Sequence, residues 1–210
     1  YLESDIFNII VERIAGKKGL RIIAATPFTT RMFFSRKPID TLSDMQGLKV
    51  RAPGLEMFVE SYKAYGCNPT PISWSETYLA LKTGVVDAAQ GLPIDVLPNK
   101  WHLAAPYITK TNDMYAAHAW VINESIWQSL SKLQQEVLLA ALKKVDEWAL
   151  NQALQNEQSI IDTMVSEGAK YNGNFKDFEV LREKALSAAK NLESAGKWSS
   201  GLISQINSIK

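Results

Sequence analysis

Residues 48–91 read LKVRAPGLEMFVESYKAYGCNPTPISWSETYLALKTGVVDAAQG, and this stretch decides the fold class. Leu48 to Ala52 alternates apolar and basic positions as a strand does, and Pro53 ends its pairing. Leu55 to Tyr65 resumes with helical spacing and stops at Gly66. Pro69-Thr70-Pro71-Ile72 is extended, because each proline pushes its predecessor out of the helical region. Ser73-Trp74-Ser75-Glu76 matches a capping box, which predicts a helix through Tyr78, Leu79 and Leu81 ending at Gly84. Val85 to Ala89 is a short buried strand closed by Gly91. Strand, helix, strand, helix, strand favours crossover connections and an α/β sheet with helices on both faces.

The flanking sequence extends this pattern. Upstream, Leu2, Ile6, Ile9, Ile10 and Ile14 predict a helix of about three turns. Leu20 to Thr26 reads as a buried strand, and Met32-Phe33-Phe34 as a strand flanked by Arg31 and Arg36. Thr41 to Gly47 is one short helical turn with Thr41 or Ser43 as cap. Downstream, Met114 to Ile122 reads as a strand and Asn123 as a helix cap. Ser131-x-x-Gln134 is a second capping box, opening a helix of about 35 residues that continues to Gly168. Such a helix is longer than one small domain is wide, so it is expected to run across two lobes. Phe178 to Lys210 is mostly helical, with a glycine-bounded patch at Gly196–Gly201.

Composition removes several function classes. The 210 residues are 46% hydrophobic and 21% charged, as in globular proteins, and 23 basic against 22 acidic residues leave a net charge of +1. No strong field favours nucleic acid or an anionic membrane. Cys67 is the only cysteine, so no internal disulfide or thiolate metal cage can form, and His102 and His118 are too few for a histidine metal site. Cofactors and metals are not expected: no dinucleotide or phosphate-loop glycine motif occurs, and no Gly-x-Ser-x-Gly elbow marks a serine hydrolase. No apolar run reaches the roughly 18 residues that span a bilayer, and Tyr1-Leu2-Glu3-Ser4-Asp5 is not a targeting segment. Asp87 and Asp95 are near in sequence but read more simply as two solvated loop acids.

Arg31 and Arg51 are the informative pair. They stand on consecutive extended segments expected to lie side by side, from which both could aim at one cleft. A guanidinium fork holds a carboxylate through two parallel hydrogen bonds, which an ammonium cannot reproduce. Spacing alone leaves open that both are ordinary surface arginines. Trp74 could supply a flat wall, or simply core, and the N–H groups opening its helix a favourable anion environment.

Thr41-Leu42-Ser43-Asp44-Met45-Gln46-Gly47-Leu48-Lys49-Val50-Arg51-Ala52-Pro53, the Pro69-Thr70-Pro71 bend, Ser75-Glu76-Thr77-Tyr78-Leu79-Ala80-Leu81 and Gly84-Val85-Val86-Asp87 together resemble the DctP-type solute-binding proteins of TRAP (tripartite ATP-independent periplasmic) transporters. The resemblance implies a periplasmic, non-enzymatic protein of the two-lobed type II (Venus flytrap) class. It implies capture of a small organic acid and delivery to membrane permease subunits, with no nucleic-acid partner. Arg51 would make the principal salt bridge to the ligand carboxylate, with Arg31 assisting and Trp74 packing on the ligand. The family's asparagine after the strand aspartate is replaced by Gly91, so that its contact is lost or passes to Gln90. The family's chains are longer at the front. This implies a truncated first lobe, represented by 1–28 and 117–155, and a second lobe formed by 29–116 and 156–210. A fragment of a longer polypeptide, or a dimer if the chain is complete, is then expected. The rival readings are a sensing or interaction module and an enzyme on a binding-protein-like fold.

Overall fold

The computed structural model describes residues 4–209, so Leu2 lies outside the described residues. In chain order the first elements are α1 (Asp5–Lys18), β1 (Leu20–Thr30), β2 (Met32–Ser35), β3 (Lys49–Ala52), α2 (Glu56–Ala64) and β4 (Asn68–Pro71). There follow α3 (Thr77–Thr83), β5 (Ala88–Gly91), α4 (Pro93–Asn99), α5 (Trp101–Ala104), β6 (Tyr107–Thr109) and β7 (Tyr115–Asn123). The chain continues through α6 (Glu124–Ser129), α7 (Lys132–Ser166), β8 (Lys170–Asn172), α8 (Phe178–Ser194) and α9 (Leu202–Asn207). A 3₁₀ turn at Leu42–Met45 is closed by reciprocal bonds between Thr41 and Asp44.

Two compact units form. Among the described residues, one takes 4–29, 116–155 and 204–209, the other 30–115 and 156–203. Helix α7 spans 35 residues and contributes to both units. Its capping box forms as the sequence predicts: Gln134 N–H donates to Ser131 Oγ at 3.3 Å and Ser131 N–H to Gln134 Oε1 at 2.8 Å.

In the first unit, β1 pairs with β7 in a two-stranded sheet. Arg21 bridges Glu12 at 2.6 Å and Glu124 at 2.7 Å. Thr26 Oγ1 and Trp120 Nε1 both donate to the Asp146 carboxylate, at 2.5 and 2.8 Å. β1 is longer than expected and only half-buried over Arg21–Thr26, because a two-stranded sheet gives each strand a single pairing neighbour.

The second unit holds a six-stranded sheet in the order β4-β3-β5-β2-β6-β8. β3 runs parallel to β4 and β5, β2 antiparallel to β5 and β6, and β6 parallel to β8. Period-two alternation divides its core. Met32, Phe34 and Ala89 join Leu81, Val96, Trp101, Ile161 and Met164 on one face. Phe33, Val50, Ala52 and Ala88 join Tyr62, Tyr65, Cys67 and Leu181 on the other. Two expectations need correction. β2 and β3 are not neighbours, because β5 lies between them. The helix after Trp74 begins at Thr77, because Ser73 Oγ donates to the Glu76 carboxylate at 2.5 Å instead of taking the N–H that a capping box requires.

The second face encloses a polar network. Tyr62 Oη donates to Gln90 Oε1 at 3.0 Å, and Gln90 Nε2 donates to Asp113 Oδ1 at 2.9 Å. Asp113 also accepts from Thr111 Oγ1 at 2.5 Å and Tyr65 Oη at 3.0 Å. Burial raises the Asp113 pKa above the ordinary carboxyl range, even though these bonds pull it down. Burial also raises both tyrosines and pushes the Cys67 thiol up to about 12, which leaves it protonated and unreactive.

Phe34 is fully buried and meets Trp101 edge-on at 6.4 Å, so Phe34→Ala is expected to cost about 3–5 kcal/mol in urea unfolding, with Phe34→Leu far milder. A carboxyl with a raised folded pKa contributes stability that is full below its unfolded pKa and is lost as pH rises through the folded one. Asp113→Asn removes that loss. Unfolding curves of variant and wild type should therefore diverge in the variant's favour as pH rises above about 4, the pKa of an unfolded aspartate.

Candidate functional site

The second unit contains a cavity of about 480 Å³ whose wall includes Arg31, Arg51, Phe58, Trp74, Asp95 and Asn99. Arg51 is brought there by strand alternation. Val50 and Ala52 face the Tyr62 side of the sheet, so Arg51 between them faces the side where Trp74 and Trp101 pack. Its Nε donates to the Ile72 carbonyl at 2.8 Å, and its guanidinium carbon stands 5.8 Å from the Trp74 ring centre. The Pro-Thr-Pro bend makes this possible. Asn68 N–H donates to Leu48, just before β3, and Ile72 N–H to Ala52 at its end, and the alternation puts Pro69 and Pro71 on the outer side of the edge strand, where no donor is needed.

Arg31 sits between β1 and β2. Its N–H donates to Met114 O at 2.9 Å, its Nη2 donates to the Gln90 carbonyl, and its guanidinium carbon lies 5.3 Å from the Phe58 ring centre. Its Nε is buried without a partner. Arg51 is only 4% exposed, and its terminal nitrogens make no hydrogen bond among the described residues. Neither arginine has a carboxylate within ion-pairing distance among the described residues, whereas Arg21 has two. Burial lowers the Arg51 pKa; Tyr62 opposes this, and the positive charge of Arg31 adds to it. The Arg31 charge thus acts on Arg51 across the intervening strand, and no carboxylate of the described residues is ion-paired with Arg51.

Trp74 is half-buried and does two things: it lines the cavity and it packs on Trp101 at 4.2 Å between ring centres. Gln90 and Gly91 do not line the cavity. Adjacent strand residues point to opposite faces, so the Gln90 side chain belongs to the Tyr62–Asp113 network and cannot stand in for a side chain missing at Gly91. A Cβ at Gly91 would come within 2.7 Å of Val96 and 3.0 Å of Trp101; packed side chains fill that space. Phe58, Asp95 as a cavity residue, Asn99 and the Asp113 network were not found by sequence reasoning. The helical spacing of Leu55, at the start of α2, and Phe58 within it was the one usable signal, since both line the cavity.

Other polar candidates lie elsewhere. Asp87 accepts from Lys49 N–H at 3.2 Å and stands 4.0 Å from Arg36. His102 is buried with Nε2 2.6 Å from Glu167, and His118 stacks on Phe28 at 4.2 Å. No group of three or more His, Cys, Asp or Glu residues is placed to hold a metal among the described residues.

The model of the family described as bacterial extracellular solute-binding protein, family 7 (DctP), matches residues 1–194. The sialic acid-binding periplasmic protein SiaP of Vibrio cholerae is 28% identical over 91% of this chain and 59% of its own length. The 2,3-diketo-L-gulonate-binding periplasmic protein YiaO of Escherichia coli is 30% identical over 73% of this chain and 47% of its own. The chain thus spans roughly half to three-fifths of these relatives. In fold it is similar to a TRAP periplasmic solute-binding protein from Roseobacter denitrificans, solved with bound β-D-glucuronate. The TM-score is 0.89 at 23% identity, over all of this chain and 69% of that one. No helix among the described residues is long and apolar enough to cross a membrane. With the family model covering nearly its whole length, the chain belongs to the DctP family of bacterial extracellular solute-binding proteins, a family of binding proteins and not of enzymes.

Proposed function

We propose that this chain works in the periplasm as the solute-binding component of a TRAP transporter, capturing a small organic acid for delivery to membrane permease subunits. One observation carries the reading: Arg51 is 4% exposed, faces a cavity with its terminal nitrogens unbonded, and has no acidic partner among the described residues. Taking a cation out of water costs several kcal/mol unless a counter-charge meets it. A ligand carboxylate supplies that charge through two parallel N–H···O bonds, and Arg31 adds a second cation on the same wall. Gln90 serves through its backbone, holding Arg31, and Gly91 leaves room for Trp101 and Trp74 to close behind the ligand. In this reading the second unit is the carboxylate-holding lobe and the first is part of the other lobe. The names of SiaP and YiaO refer to binding of carboxylic acids, which supports an acid as the cargo.

A thermal-shift screen against small carboxylates tests this. A ligand at 100 times its dissociation constant adds about 2.7 kcal/mol of stability. For any acid found, calorimetry should show Arg51→Ala losing about 2–5 kcal/mol of affinity with the fold intact, and Arg51→Lys recovering little of it because the fork is gone. Unchanged affinity in Arg51→Ala overturns the reading. Trp74→Phe should keep most of the affinity and Trp74→Ala should lose it, an aromatic contact adding about 0.5–1.5 kcal/mol beyond area. Quenching of tryptophan fluorescence by the same acid checks the contact directly.

A further inference from the structure

Asp113 is a buried acid that does not line the cavity, yet both supports of Arg31 run through it. It stands in the irregular segment 110–114 between β6 and β7, just after Asn112, whose φ of 51° is left-handed. The Asp113 carboxylate fastens this segment to the C-terminal end of α2 through Tyr65 at 3.0 Å and to β5 through the Gln90 amide at 2.9 Å. Arg31 depends on both attachments. Its N–H donates to the carbonyl of Met114, the residue next to Asp113, and its Nη2 to the carbonyl of Gln90. No other hydrogen bond holds the guanidinium among the described residues; the Phe58 face lies beside it.

The charge state of the acid sets how well the segment is fastened. Three donors, Thr111 Oγ1, Tyr65 Oη and Gln90 Nε2, converge on its two oxygens, and an ionised carboxylate accepts from all of them. A protonated carboxyl becomes a donor itself. A hydroxyl can turn to accept that proton, but its own hydrogen then loses its acceptor, and the Gln90 N–H cannot turn at all. The other titratable groups of the network, Tyr62, Tyr65 and Cys67, are raised by burial and stay neutral. Arg31 and Arg51 act on Tyr62 as positive charges, and Lys110 is paired with Glu157. No cation pairs with Asp113 among the described residues.

We infer that Asp113 is a positioning residue for Arg31: by fastening Gln90 and the segment that carries Met114, its ionised carboxylate holds the Arg31 guanidinium where an incoming anion meets it. The inference rests on the carboxylate-binding reading above. Charge and position pull in opposite directions here. The negative charge of Asp113 repels an anion, so neutralising it alone tightens binding, whereas releasing Arg31 from its supports weakens binding.

A double-mutant cycle separates the two. Glucuronate and sialate, which stay ionised between about pH 5 and 8, are titrated calorimetrically into the wild-type chain, Asp113→Asn, Arg31→Ala and the double variant, with Arg51→Ala alongside. Asp113→Asn is expected to be the more stable fold near neutrality, so affinity lost in it is not fold lost. It should bind about three- to tenfold more weakly than the wild type, and the same substitution should change affinity less than about twofold in the Arg31→Ala background. Burial raises the Asp113 pKa, so the acid is ionised at the upper end of this range and takes up its proton as pH falls. Wild-type affinity should fall with it, and that fall should be absent from Asp113→Asn. Unchanged or tighter binding in Asp113→Asn, an equal loss in both Arg31 backgrounds, or one pH profile shared by variant and wild type overturns the inference, while Arg51-dependent binding leaves the carboxylate reading standing. Where Arg31→Ala binds too weakly to measure, the pH profiles decide alone. Binding that survives Arg51→Ala, or no binding of either acid to the wild type, removes both.

Discussion

Arg51 lies on a strand with neighbours on both sides, and the single bond from its Nε to the Ile72 carbonyl fixes where its charge is held. The surroundings answer that constraint. The carbonyl is in place because β4 is an edge strand whose prolines need no partner for an N–H they lack. Trp74 follows two residues later and covers one side of the guanidinium, and Trp101 backs Trp74 in the space that Gly91 leaves open. The cation is screened from water by apolar groups on one side and left open to a cavity on the other. A site of this kind is preorganised: the donors are already aimed and desolvated, so an incoming anion orders few side chains as it binds.

The buried acid of this unit stands on a different face from that cation. Asp113 has accepted three hydrogen bonds, from Thr111, Tyr65 and Gln90, and its raised pKa shows that burial outweighs them. The network nevertheless bears on the site at one remove. Tyr62 and Asp113 fix the Gln90 amide, and the Gln90 carbonyl takes the Arg31 guanidinium. Strand alternation lets one residue serve both roles, with its side chain on one face and its backbone bond directed to an arginine whose tip reaches the cavity.

Local signals in the sequence were reliable where the deciding chemistry is local. The Ser131–Gln134 box, the Asn123 cap and the alternation through Val50, Arg51 and Ala52 need only a few residues each, and all three form as read. The Ser73–Glu76 box failed because two side chains bonded to each other in place of the backbone, a choice the motif does not encode. Strand order was illegible for another reason. β5 enters between β2 and β3 from more than 35 residues downstream of β3, so Arg31 and Arg51 reach one cavity across an intervening strand and not as neighbours. Asp95 and Asn99 carry no motif; only the position of α4 brings them to the cavity wall. Helix α7 shows the limit of periodicity in the same way: Leu133, Val137 and Trp148 are exposed while Ile161 and Met164 are buried, along one continuous helix. A hydrophobic period predicts an element, and its burial depends on what packs against it.

Three arginines of this chain make the same point about charge. Arg21 is engaged by two carboxylates on different elements and joins α1, β1 and α6 within the first unit; with its donors satisfied, it holds structure together and has little to offer a ligand. Arg31 and Arg51 keep donors unspent and face a cavity. Nothing in the local sequence separates the first from the other two, since each lies in an extended, mixed apolar and polar segment. The separation comes from long-range accounting of partners: an arginine whose charge is matched inside the protein is architecture, and a buried one left unmatched beside open space is a demand for an anion. That demand is why the cavity wall, and not the composition of a nearly neutral chain, carries the functional reading.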